Sequence, residues 1–128
     1  MIVAGLGCRK AIGAAQVESA IEAALRSGGL DAHQLALIAI PATKGTEAGI
    51  VAAAAARGVQ LILITQDALE KADSRTVTRS ARSMDVLNVR SVAEAAALAG
   101  AGPNSRLLAP RVAIGAVTCA LAEGEGPR

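Results

Sequence analysis

Short apolar runs alternate with longer amphipathic segments along the first half of the chain. Each apolar run has the length of a buried β-strand, and the segments between them place apolar side chains at helical spacing. Val17, Ile21 and Leu25, for example, share one face of a predicted helix, and Glu18 and Glu22 lie on the opposite face. The predicted strands cover residues 2–7, 35–40 and 59–64, and the predicted helices cover residues 16–29, 46–56 and 66–72. Strands joined by helices favour a parallel sheet covered on both faces, which is a three-layer α/β/α sandwich.

The stretch that follows is less regular. Residues 73–90 carry four arginines and many hydroxyl side chains, and they predict a loop with no more than one helical turn. Ser91 and Glu94 then match the S-x-x-E pattern of a capping box, in which two side chains satisfy backbone groups at a helix start. This pattern predicts a helix that begins at Ser91 and ends at Gly100.

Two further apolar runs close the sequence, and they predict strands over residues 106–109 and 112–122. Only Pro110 and Arg111 lie between them, so we expect the pair to be antiparallel, with Arg111 exposed at the turn. The predicted fold class is therefore α/β, with a mixed, mostly parallel sheet of about five strands.

The length and composition indicate one globular domain. With 128 residues, of which 52% are hydrophobic, the chain can bury a core, and we assign residues 1–122 to a single domain and residues 123–128 to a flexible tail. No apolar run approaches the roughly 20 residues of a membrane span, and no signal peptide is visible. We therefore expect a cytoplasmic protein without a membrane partner.

Charge and residue types argue against several classes of function. The net charge of +2 is scattered along the chain, and the complete absence of Phe, Tyr and Trp removes the usual stacking platforms for bases, so we expect no nucleic-acid partner. Cys8 and Cys119 have no CxxC spacing, and His33 is the single histidine, so we expect no metal site. Two isolated thiols are typical of a reducing cytosol. No motif calls for a cofactor.

The loop after the first strand is the first candidate site. A dinucleotide fingerprint would need a third glycine where Lys10 stands, and no Walker A loop is present. Gly5 and Gly7 would still let the backbone approach a ligand, and the following helix start, with Arg9 and Lys10, would attract an anion. The alternative is a tight strand-to-helix turn with solvated charges.

Cys8 in this loop has two interpretations. Next to a helix start and to Arg9, its thiol could have the lowered pKa of a nucleophile. No acid–base partner is evident, because His33 is expected at the far end of the first helix. We favour a packed side chain over covalent catalysis.

A second polar stretch follows the second strand. Lys44 and Glu47 lie in the loop and first helical turn after residue 40, at a strand end where ligands of parallel sheets bind. Glu47 also suits a helix start because a carboxylate opposes the positive end of the helix dipole, but Lys44 has no such structural role. We therefore expect the segments 7–9 and 41–47 and the loop after Ile64 to share one rim of the sheet.

Four segments in a fixed order resemble a known family. They are GLGCRK at 5–10, KGTEAGI at 44–50, SVAEAAALAG at 91–100 and LLAPRVAIGAVTCALA at 107–122. Together they are similar to the CobE proteins and to the C-terminal domain of CbiG, from cobalamin biosynthesis. Ala48 and Arg111 depart from the family pattern, where proline and lysine are common.

The resemblance implies binding of a precorrin-type tetrapyrrole in the aerobic corrin pathway. Complete CbiG opens the δ-lactone of cobalt-precorrin-5A and releases acetaldehyde, whereas stand-alone relatives have no settled reaction, so whether this chain is an enzyme stays open. The ring's many carboxylates would need cations and backbone N–H groups. The expected ligand-binding residues are Gly5, Gly7, Cys8, Arg9, Lys44, Glu47 and Arg111. If chemistry occurs, Glu47 is the expected acid–base group, because Glu94 is assigned to capping.

Two other hypotheses stay open on the residues alone. The glycine loop and fold class would also suit a small nucleotide- or anion-binding regulatory module. The alanine-rich helices would suit a non-catalytic domain that docks on another enzyme of the pathway.

Overall fold

The computed structural model describes residues 1–8, 13–42, 48–73, 84–102, 104–108, 111–115 and 117–126. These residues form six strands and four α-helices, with one short 3-10 turn at Ala32–Gln34. The strands are β1 (Ile2–Cys8), β2 (Leu35–Pro41), β3 (Gln60–Ile64), β4 (Arg106–Leu107), β5 (Val112–Ile114) and β6 (Val117–Glu123). The helices are α1 (Ala14–Ser27), α2 (Ala48–Arg57), α3 (Gln66–Asp73) and α4 (Met84–Ala101).

All six strands belong to one mixed sheet. Its order is β3-β2-β1-β6-β4, and β5 also pairs with β6. β1, β2 and β3 are parallel to one another, and β6 runs antiparallel to β1, β4 and β5. Five of the six described strands therefore point the same way. The predicted α/β fold with a mixed, mostly parallel sheet is confirmed.

The last hairpin lies elsewhere than predicted. Residues 112–122 are not one strand, because β5 ends at Ile114, β6 begins at Val117 and these two residues pair with each other. Gly115 has a φ of 58°, a left-handed conformation that glycine adopts without strain. The prediction that Pro110 and Arg111 form the turn is wrong, although the antiparallel pairing is correct. β4 and β5 instead form one interrupted outer strand along β6.

The sheet separates two hydrophobic layers. Alternate strand residues such as Leu6 and Cys119 pack with α1 and α2, and their neighbours such as Val3 and Ala120 pack with α3 and α4. Arg57 at the end of α2 bonds to Glu18 and Glu22 of α1, which joins the two helices on that side. This is the predicted three-layer arrangement. No helix among the described residues is long and apolar enough to cross a membrane.

Helix α4 lies unusually close to the sheet. A methyl group at Gly5 would overlap the carbonyl oxygen of Ala93 and the amide nitrogen of Ala97. At the other end of the contact, a methyl group at Gly100 would lie 2.9 Å from the Ala39 Cβ and 3.0 Å from a methyl carbon of Val3. Glycine on both sides therefore lets the helix backbone rest on the strands.

The start of α4 differs from the prediction. The helix begins at Met84, so Ser91 and Glu94 lie inside it and form no capping box at its start. Residues 84–90 include Met, Leu and Arg, which are good helix formers, and they contain neither Gly nor Pro. The S-x-x-E pattern is therefore coincidental, and Glu94 does not cap the helix start as the sequence suggested.

The contact between Gly5 and α4 gives a stability test. Gly5→Ala should lower the free energy of unfolding by about 2 kcal/mol or more, because the added methyl meets helix backbone that cannot rotate away. Gly13→Ala is the matched control: Gly13 has a φ of −89° and open space around its Cβ position. Because Gly13 is the N-cap of α1, where alanine is less favourable than glycine, its cost should stay below about 1 kcal/mol. Urea unfolding of both variants measures the difference, and equal midpoints would contradict the packing argument.

Candidate functional site

Three parallel strands end side by side and define the candidate site. β1 ends at Cys8, β2 at Pro41 and β3 at Ile64, and Pro41 pairs directly with Ile64. Val117 at the start of β6 pairs with Cys8, so the β5–β6 reversal lies at the same end of the sheet. We call this end the carboxyl rim. In parallel sheets it is where ligands bind, because the loops that follow the strands converge there.

The helices direct their N-termini to this rim. α1, α2 and α3 each follow one of the three parallel strands, so each begins where its strand has ended. α4 runs antiparallel to β1, since Gly100 lies over Val3 while Ala93 lies over Gly5, and its N-terminal half therefore extends toward the rim. The first turn of a helix presents unpaired N–H groups and a partial positive charge. Four such helix starts favour an anionic ligand at the rim.

Two of these helix starts are capped differently. Thr65 precedes α3, and its hydroxyl accepts a hydrogen bond from the backbone N–H of Ala68 at 3.2 Å. Gly13 precedes α1 and has no side chain that could accept such a bond. Gln16 in the first turn of α1 lies directly over Gly115, which places this helix start beside the β5–β6 reversal. The first N–H groups of α1 therefore receive no side-chain cap from the residue before the helix.

The two glycines of the opening loop have different surroundings. Gly5 lies in the middle of β1, and α4 fills the space where a side chain would stand, so packing accounts for this glycine. Gly7 lies one residue from the strand end and pairs with Thr118 of β6, which is partly exposed. Of the two, only Gly7 lies next to the rim, where its backbone is buried.

Several predicted site residues lie outside the part of the chain that the structure describes. Arg9, Lys44 and Glu47 are among them, as is the side chain of Cys8. The structure does show which strand precedes each of these segments. The segment with Arg9 follows β1 directly, and the segment with Lys44 follows the neighbouring strand β2. Both segments leave from adjacent strand ends at the carboxyl rim.

Arg111 lies away from the adjacent ends of β1 and β2. It is partly buried and directly precedes β5, so the expectation of an exposed turn residue is wrong. Val112 pairs with Cys119, which pairs with Leu6, so Arg111 stands level with Gly5 and two strands away, a lateral distance of about 10 Å. Three residues of β1, about 10 Å more, separate that level from the strand end. Its backbone therefore lies short of the rim.

Glu94 is the residue that sequence reasoning set aside too early. Its side chain is fully buried, with 0% exposure, in a helix segment that is otherwise almost entirely alanine. Side chains on a helix lean toward its N-terminus, which for α4 is the direction of the carboxyl rim. A carboxylate at an interior helix position is the signal that could have identified it, since burying a charge is costly unless something compensates it.

The thiol of the second cysteine, Cys119, is not placed to react. Cys119 lies in β6, fully buried on the side of the sheet that packs against α1 and α2. Burial raises the pKa of its thiol to about 12, and nearby Arg57 offsets only part of that effect. The thiol is therefore neutral at physiological pH. Within the described residues, no group of three His, Cys, Asp or Glu side chains could hold a metal ion.

Comparison with known proteins agrees with this architecture. Residues 2–122 match the family described as Cobalamin synthesis G C-terminus. The curated Protein CobE from Sinorhizobium sp is 32% identical over 121 residues, which cover 94% of this chain and 79% of that protein.

Solved structures give the same result. The cobalamin biosynthesis protein chiG from Agrobacterium tumefaciens is 35% identical, with a TM-score of 0.78 and coverage of 97% of this chain and 98% of that one. CobE, a protein from the cobalamin biosynthetic pathway, has a TM-score of 0.85 at 27% identity and covers 100% of this chain and 93% of its own. A cobalamin biosynthesis protein G homolog from Sulfolobus solfataricus shares the fold at 21% identity, with a TM-score of 0.70, and only 37% of that chain is matched.

The burial of Cys119 gives a test of reactivity. In a Cys8→Ser variant, whose only thiol is Cys119, the folded protein should react very slowly with a thiol reagent at pH 8 and completely after denaturation. The raised pKa of Cys119 also makes stability depend on pH. Because the folded protein binds this proton more tightly than the unfolded chain, the free energy of unfolding should fall as the pH rises above 9 toward 12. Rapid reaction of the folded variant at pH 8 would contradict this burial.

Proposed function

This chain belongs to the Cobalamin synthesis G C-terminus family, and from that premise we propose that it binds a precorrin-type tetrapyrrole of cobalamin biosynthesis at its carboxyl rim. The family supplies the pathway, since its relatives CobE and chiG are cobalamin biosynthesis proteins. A cytoplasmic location, and transfer of the intermediate to or from other enzymes of the pathway, are part of the proposal.

One structural observation carries the choice of site. β1 and β2 are adjacent and parallel, so the segments that contain Arg9 and Lys44 leave the sheet from neighbouring strand ends, about 5 Å apart. Had the two strands been antiparallel, these cations would have belonged to opposite ends of the sheet. The topology thus supports a common anion-binding role for them.

The chemistry of the ligand fits this rim. A precorrin carries acetate and propionate carboxylates around a flexible ring, and hydrogen bonds from arginine or lysine to carboxylate are among the stronger ones in proteins. Four helix N-termini add partial positive charge from the backbone. Gly7 and Thr118 lie side by side next to the rim, so small residues stand where the edge of a macrocycle would approach.

Two carboxylates are available if the bound ring is also modified. We propose Glu47 as the acid–base group, since it precedes α2 at the rim, whereas Glu94 is fully buried within α4. The lactone-opening reaction that the CbiG resemblance implies needs one such group to activate water. Binding and delivery without turnover needs neither.

Titration with hydrogenobyrinic acid, followed by visible absorbance, tests the binding step. Arg9→Ala and Lys44→Ala should each weaken binding roughly tenfold or more, because each removes a charged donor for a carboxylate. Arg106→Ala is the matched control, since Arg106 is exposed, pairs with Glu123 and lies at the opposite end of the sheet.

Three outcomes would contradict the proposal. One is a folded wild-type protein that causes no spectral change. Another is tight binding that persists in both Arg9→Ala and Lys44→Ala. That result would rule out the proposed site but not the proposed ligand. The third is equal weakening by Arg106→Ala, which would indicate nonspecific charge attraction. Complementation of a cobalamin-deficient strain by the same variants provides the matching measurement in cells.

A further inference from the structure

The outward face of α2 is apolar, which is unusual for a surface helix. Its exposed residues are all alanine or valine, namely Ala48, Val51, Ala52, Ala55 and Ala56. Val51 alone is 45% exposed. A helix that is apolar on every side is normally covered on every side, because a surface helix carries polar residues on its outer face. The opposite face of α2 already packs against the sheet, so its outer face calls for a second covering layer.

The neighbouring strand has the same character. β3 is the last strand on its side of the sheet among the described residues, and its sequence QLILI contains no charge. Leu63 is 54% exposed, the largest exposure among the bulky hydrophobic side chains described. Native proteins protect such strands with lysine, proline or interruptions, because free backbone N–H and C=O groups invite another strand to pair.

The opposite side of the sheet shows that protection. There the outer strand is divided into β4 and β5, and the residues between them include Pro110. Arg106 places a charge on that side, with its side chain 74% exposed. One lateral side of the sheet is therefore defended against pairing, and the β3 side is not.

The two apolar features form one uncharged surface. α2 precedes β3 in the chain and packs beside it, and Arg57 is the single charged residue from 48 to 66. The Arg57 side chain is only 11% exposed and is bonded to two glutamates of α1. We call this surface, made of β3 and the outer face of α2, the β3 surface.

We propose that a second copy of this chain covers the β3 surface through antiparallel pairing of β3 with β3. In a two-fold dimer each patch meets itself, so an exposed charge near the axis would face its own copy. A neutral strand avoids that repulsion and is complementary to itself. Pairing centred on Ile62 sets Leu61 of one copy opposite Leu63 of the other and places both α2 helices on the same face of the joined sheet.

The size of this surface sets the expected strength. Five strand residues and five exposed residues of α2 give about ten residues a side, fewer than the 20 to 30 of a standard interface. The dimer should therefore be in rapid, concentration-dependent exchange, with a dissociation constant in the micromolar range. This inference does not depend on the proposed ligand, although the β3 surface reaches the carboxyl rim at Ile64 and at the start of α2.

Sedimentation analysis of the full chain over a range of concentrations tests the dimer. Leu63→Glu should weaken association roughly tenfold or more, because dimerisation would bury two like charges close together. Ala113→Glu adds the same charge at an exposed position of β5, on the opposite side of the sheet, and should leave association unchanged. Circular dichroism establishes that both variants remain folded, which is expected because both positions are exposed.

Each result decides the matter. Loss of the dimer with Leu63→Glu and its retention with Ala113→Glu would support the proposal. A wild-type protein that stays monomeric at the highest concentration would overturn the proposed dimer and would favour a different protein as the partner of the β3 surface. A dimer that is insensitive to Leu63→Glu, or that Ala113→Glu disrupts instead, would place the interface elsewhere and overturn it as well.

Discussion

The contact between α4 and β1 determines most of the arrangement around the candidate site. Because Gly5 has no side chain, the backbone of the helix at Ala93 and Ala97 rests on the strand itself. Gly100 repeats the contact near Val3 and thereby sets the helix antiparallel to β1. This orientation extends the N-terminal half of α4 toward the carboxyl rim and encloses Glu94. A larger residue at Gly5 would lift the helix and change the wall of the site.

Local periodicity was sufficient to predict the first half of the fold. β1, β2 and β3 are short apolar runs, as expected of strands in a sheet covered on both faces, and α1 sets a buried apolar face against an exposed charged one. α4 lacks that contrast, because residues 93–98 are buried all round, and so its true start at Met84 was hidden. The final reversal was misplaced for a related reason. Gly115 sits inside an apolar run, and proline at position 110 offered a more obvious turn.

The candidate site was predictable to the extent that it follows from strand order. Adjacent parallel strands bring their C-terminal segments together whatever the loops contain, which is why the Arg9 and Lys44 segments could be placed on one rim. The packing role of Gly5 could not be derived, since glycine looks the same in sequence whether a helix or a ligand occupies the space beside it. Glu94 was overlooked because a local pattern explained it, and the start of α4 at Met84 shows that explanation to be wrong.

The carboxyl rim and the β3 surface differ in their charge. The rim gathers helix N-termini and follows strands whose next residues are cationic, whereas the β3 surface has no exposed charge to repel its own copy. Antiparallel pairing of two β3 strands would turn the second sheet through half a rotation, so that its rim faces the opposite way. Two ligands bound beyond the ends of β1 and β2 would then lie at opposite ends of the joined sheet. Association and ligand binding are therefore compatible on this fold, although the end of β3 at Ile64 belongs to the rim and would lie opposite Gln60 of the other copy.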